Sequence, residues 1–130
     1  MKSIPLLLTA LLAFSGVNAQ TITKDQAKAE HERIEATAKS EKKACDSLKA
    51  NAKDVCEAEA KAKEKIAKAD LKHRQTGDAG DARKLAEMKA EGAFEVAKEK
   101  CEDLDGAKQS DCKKQAKDTE QAAKDAAKKS

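Results

Sequence analysis

The chain has too few large apolar side chains to build an ordinary hydrophobic core. Beyond residue 19 they are Ile22, Ile34, Leu48, Val55, Ile66, Leu71, Leu85, Met88, Phe94, Val96 and Leu104, eleven in 111 residues, while alanine occurs twenty-four times. Burying eleven such side chains cannot by itself offset the entropy of ordering so long a chain. Two other sources of order are visible. Ala, Lys, Glu and Gln, which dominate the composition, are among the strongest helix formers. The four cysteines, at 45, 56, 101 and 112, can cross-link the chain if it reaches an oxidising compartment.

Export is predicted. Residues 1–19 carry a basic residue at Lys2, an apolar run from Ile4 to Phe14 and the small-residue cleavage site Val17-Asn18-Ala19, the pattern of a secretory signal peptide. Losing Lys2 with it leaves 26 basic against 24 acidic residues, so neither charge dominates. No second apolar run is long enough to span a bilayer, and the expected location is periplasmic or secreted.

After residue 19 there is no proline, and long helices are the default reading. The clear interruption is Gln75-Thr76-Gly77-Asp78-Ala79-Gly80-Asp81, which gathers turn formers near the middle. Two helical repeats are expected on either side, 20–76 and 77–130, each with one Cys-x10-Cys unit. Adding 56 carries the first cysteine pair onto the second, Leu48 onto Leu104, Lys42 onto Lys98, Glu35 onto Glu91 and Ala60-Lys61 onto Ala116-Lys117, which argues for an internal duplication. Apolar positions also recur every eleven residues, along Ile34, Cys45, Cys56 and Ala67 and along Ala90, Cys101, Cys112 and Ala123. The predicted fold is all-α, with antiparallel helical hairpins forming an elongated, disulfide-stapled bundle.

Two cysteines eleven apart on one straight helix are separated by roughly 16 Å, whereas a disulfide needs Cα atoms within about 7 Å. Two arrangements satisfy this. Each Cys-x10-Cys can fold back on itself, with Leu48 ending one helix and Asn51 starting the next, giving Cys45–Cys56 and Cys101–Cys112. Alternatively one long hairpin about Gly77 and Gly80 gives Cys45–Cys112 and Cys56–Cys101. Duplication, with Asn51 and Gly106 near the loop centres, favours the first; the eleven-residue line through Cys45 and Cys56 favours the second, which also resembles the twin Cys-x9-Cys proteins.

Other chemistry has little to rest on. No Gly-rich phosphate loop or Ser/His/Asp or Cys/His constellation is present, and Cys-x-x-Cys is absent. His31 and His73 stand alone in charged helical contexts where solvated side chains are expected, and zinc-type spacing is missing. Charges such as Lys63 and Glu64 are expected on solvated faces. No catalytic residue, metal or cofactor is predicted. Nucleic acid is disfavoured by balanced charge and by the lack of stacking aromatics.

Residues 44–70 and 97–106, with their Cys-x10-Cys units and a Leu three residues after the first Cys, resemble a group of small exported proteobacterial proteins, some labelled after the Ala/Lys-rich periplasmic helix of TolA. That group commonly has Gly-Asn-Ala-Lys in the loop. Asn51-Ala-Lys53 keeps part of it, while Ala50 and Ala107-Lys108-Gln109 depart. The resemblance implies no activity. The expected role is non-enzymatic, structural or protein-interacting in the cell envelope, with an envelope protein or a client as partner; a stress-protective holdase is the alternative, and a secreted factor a third reading.

Overall fold

The computed structural model describes residues 21–129, so the expected signal peptide lies outside the described residues. Four helices account for nearly all of it: α1 (Lys24–Cys45), α2 (Asn51–Thr76), α3 (Ala79–Cys101) and α4 (Gly106–Lys129), with no strand among the described residues. The protein is an all-α bundle, as its helix-forming composition predicts.

Local chemistry sets the helix ends. Thr23 opens α1 with a capping box: its hydroxyl accepts from the Gln26 N–H at 3.2 Å, and the Gln26 side chain accepts from the Thr23 N–H at 3.0 Å. Gly77 ends α2 in the left-handed conformation (φ 64°), which lacks a Cβ penalty only for glycine. The Asp78 carboxylate then accepts from the N–H groups of Gly80 and Asp81, starting α3 at once. The expected central break is therefore a two-residue turn, Gly77-Asp78.

Each helix packs on its neighbours in the chain. α1 lies on α2, α2 on α3 and α3 on α4, while no Cα of α1 comes within 8 Å of α3 or α4, nor α2 of α4. The bundle is open, because α1 does not close it against α4. Its interior is made of small residues: Ala27, Ala38, Cys45, Ala60, Ala62, Ala90, Gly92, Cys101 and Ala127 are buried, and of the eleven large apolar residues only Leu71 is. Eight others are half-buried, and Leu48 and Leu104 are exposed at 41% and 38%. Small side chains compensate by letting backbones approach. A Cβ on Gly92 would lie 2.9 Å from the Cβ of Ala62 and 3.3 Å from Cδ1 of Ile66, so α2 and α3 meet at a distance only glycine permits.

The 56-residue correspondence shows where the two units differ. Helical spacing puts Val55 on the stripe of Ala62 and Ile66, and Leu85, Met88 and Val96 on the stripe of Gly92. These stripes meet at the α2–α3 contact. Their counterparts are Asp111, Asp118 and Ala122 on α4, and Ala29, Glu32, Ala36 and Ser40 on α1, all exposed. Apolar residues join the units to each other, and polar or small residues occupy the two outward faces.

Candidate functional site

The two cysteine turns are the most constrained parts of the surface. Cys45 pairs with Cys56 and Cys101 with Cys112, each with Cα atoms 5.7 Å apart, and no cysteine is free among the described residues. The local arrangement is therefore the one formed. In each pair the first cysteine is buried, at 0% and 1% exposure, and the second half-buried. α1 stops at Cys45 rather than at Leu48, which lies in the loop with its N–H donating to the Cys45 carbonyl at 3.0 Å. Leu104 repeats this toward Cys101 at 3.1 Å. The eleven-residue apolar lines do not run along one helix, because each breaks at its turn and faces itself across the hairpin. The Asn51 side-chain amide donates to the Glu99 carbonyl at 2.8 Å, tying the start of α2 to the end of α3.

The loops part company at one position. The residue leading into α2 is Ala50, with φ 50° and ψ −145°, and its counterpart at the start of α4 is Gly106, with φ 55°. The backbone path asks for glycine in both loops, and only the second supplies it.

Below the turns, two ion-pair clusters occupy corresponding places. Lys68 bridges Glu35 at 3.1 Å and Glu64 at 2.9 Å, and 56 residues later Lys124 bridges Glu91 at 2.9 Å and Glu120 at 2.8 Å. Each inner carboxylate takes a second lysine: Lys42 lies 2.7 Å from Glu64 and Lys117 2.8 Å from Glu120. Hydrogen bonds from Lys42 and then Lys68 hold Glu64 at about 2, and Lys117 with Lys124 depresses Glu120 in the same way. Glu120 is only 5% exposed. A carboxylate so enclosed stays charged because both lysines satisfy it. These residues were read in the sequence as solvated charges; the shift that matches Glu35 with Glu91 also matches Glu64 with Glu120 and Lys68 with Lys124, a signal that could have found them.

A shallow groove runs beside each cluster, lined by corresponding residues with opposite character. Between α1 and α2 it contains Ile34, Thr37, Ala38, Glu41, Lys63 and Ala67, and Lys63 pairs with Glu41 at 3.2 Å across it. Between α3 and α4 the same positions are Ala90, Ala93, Phe94, Ala97, Thr119 and Ala123, so the Glu41–Lys63 bridge has no counterpart across this largely apolar groove of about 370 Å³. The Lys117 ammonium sits over the Phe94 ring, 4.9 Å from its centre.

The two histidines sit in different surroundings. His31 lies 3.7 Å from Glu35, while Nδ1 of His73 is buried without a hydrogen-bond partner, in contrast to the solvated state expected for it. Among the described residues no group of three or more His, Cys, Asp or Glu is placed to hold a metal ion, and no helix is long and apolar enough to cross a membrane. What the surface offers is helix faces and shallow grooves between neighbouring helices. No family model, curated protein or solved structure matches this chain.

Proposed function

We propose that this is an exported, non-enzymatic protein with a structural or protein-interaction role in the cell envelope, built from a duplicated disulfide-closed helical hairpin. The observation that carries the reading is the open order of the helices. Each is packed only against its chain neighbours, so broad helical faces are left uncovered around an interior of alanine. A chain that spends its cysteines on two local staples holds its shape without a deep core, which suits a spacer or adaptor more than a catalyst. Duplication is supported by the ion-pair clusters and turns that correspond under the 56-residue shift. The disulfides favour an oxidising compartment, periplasmic or extracellular.

Chemical crosslinking in intact envelopes tests the reading: a discrete protein adduct that disappears when surface residues on α1 or α4 are substituted supports it. Its absence, with no stable complex in the periplasmic fraction, overturns it.

A second reading, a holdase-like chaperone, rests on the apolar α3–α4 groove. It is tested by suppression of client aggregation in vitro. Ala97→Glu combined with Thr119→Lys, which copies the bridged first groove, is expected to abolish that suppression.

A further inference from the structure

We propose that the two disulfides form an unequal redox pair: a dithiol reductant opens Cys45–Cys56 before Cys101–Cys112, and that opening releases α1 as a mobile arm. The comparison is internally controlled. Both bonds close eleven-residue separations with Cα atoms 5.7 Å apart, both follow the same Leu-to-Cys backbone hydrogen bond, and both pair a buried with a half-buried cysteine. Cα separation and burial therefore do not separate them, and although Cys101 and Cys112 line the α3–α4 groove, access changes a rate and not the reduction equilibrium.

The separating feature is the residue that the closed loop forces to positive φ. Ala50 at φ 50° and ψ −145° carries a Cβ in a region open essentially to glycine, and Gly106 at φ 55° carries none. Once the bond opens, Ala50 can return to ordinary backbone angles, whereas Gly106 has no such strain to release. The relief exceeds the extra freedom a glycine loop gains, and shifts the reduction equilibrium of Cys45–Cys56 by about three- to tenfold relative to Cys101–Cys112.

The step balances through thiol–disulfide exchange. A thiolate of the dithiol attacks Sγ of Cys56, the less buried partner, and expels the Cys45 thiolate. The second thiolate of the reductant then displaces Cys56, leaving an oxidised reductant and, after protonation, two cysteine thiols.

Release of α1 follows from how it is attached. α1 packs on α2 alone, and its buried residues are Ala27, Ala38 and Cys45. The remaining links are the pairs of Glu41, Glu35 and Glu30 with Lys63, Lys68 and Arg74, which solvent reaches and which hold weakly, and the single more enclosed pair Lys42–Glu64 at 2.7 Å. α2 stays in place through its close contact with α3 at Gly92.

The test uses the full chain in buffers of graded reduced-to-oxidised dithiothreitol ratio, quenched by alkylation and read by peptide mass spectrometry. Cys45 and Cys56 are expected to become alkylated at a ratio three- to tenfold lower than Cys101 and Cys112, and Ala50→Gly to remove that difference. Gly106→Ala is expected to make Cys101–Cys112 more easily reduced in the same way. Coincident titration in the unsubstituted chain, or an order unchanged by Ala50→Gly, overturns the proposal. Hydrogen exchange on the half-reduced species should show Lys24–Cys45 losing protection while α3 keeps its own; an α1 that stays protected refutes its release.

Discussion

Replacing Gly92 by alanine sets helix propensity against packing with opposite signs. In a helix interior alanine is preferred over glycine by about 1 kcal/mol, so a reading of α3 alone predicts stabilisation. The added Cβ would stand 2.9 Å from the Cβ of Ala62, where an ordinary carbon contact is about 3.5–4.0 Å. Ile66 Cδ1, at 3.3 Å, is the end of a flexible side chain and can turn aside, but the Ala62 Cβ is fixed to its backbone. α2 and α3 must therefore move apart by roughly 0.5–1 Å, a gap that forfeits a quarter to a half of the dispersion energy at each facing contact. Overpacking of this kind costs about 1–3 kcal/mol. Subtracting the propensity gain leaves a net loss of about 0–2 kcal/mol, a fall in Tm of up to several degrees for a domain of this size. Thermal unfolding followed by circular dichroism measures it, and Ala62→Gly in the same chain should restore most of the loss. A Gly92→Ala protein that melts higher than the original would show that the close approach of α2 and α3 is not a constraint, and the packing argument would fall.

Acid should remove a defined part of the stability. The carboxyl of Glu64 is held at about 2 by Lys42 and Lys68 against an ordinary 4.5, so its contribution is complete above about pH 4.5 and disappears as pH falls through about 2. The difference in urea midpoint between the original chain and Glu64→Gln should shrink across that interval; a constant difference contradicts the assignment. Lys63→Ala should change stability by less than about 0.5 kcal/mol, since Lys63 is largely exposed, while Glu64→Ala strands two lysines and should cost about 1–2 kcal/mol, so equal effects would contradict the structure. Reduction of both disulfides should lower Tm sharply, because each loop of about ten residues contributes very roughly 2–3 kcal/mol, and an unchanged Tm would refute the stapling role. Cleavage within the central turn, followed by denaturation without reductant, should separate the halves by mass spectrometry; halves that stay covalently joined would contradict the observed pairing.

The sequence by itself determined the secondary structure and the covalent possibilities. A chain rich in Ala, Lys and Glu, without proline after residue 19, can hardly avoid helix, and Gly77 with Asp78 marks the central turn through local backbone and capping chemistry that needs no partner. Cysteines eleven apart exclude a bond along one straight helix for the same local reason. The choice between the two remaining pairings depended on whether residues 46–50 and 102–105 turn, and that hangs on the energy of a few loop residues against the continuation of a helix. Ala50 shows how little the local signal said: an alanine occupies the position where the backbone demands glycine, because the disulfide that closes the loop outweighs its strain.

Tertiary structure also decided which charges matter. Glu64 is set apart from the solvated glutamates around it only when Lys42 of α1 joins Lys68 of its own helix, whereas both lysines of Glu120 lie on α4 within a turn of it, and what tertiary packing adds there is the burial. The meaning of Gly92 was equally hidden, since a glycine within a helix reads as a weakness until a second helix is laid 2.9 Å from its absent Cβ. Helix formation depends on residues a turn apart, whereas enclosure, close approach and the openness of the bundle depend on what another segment brings to the same place.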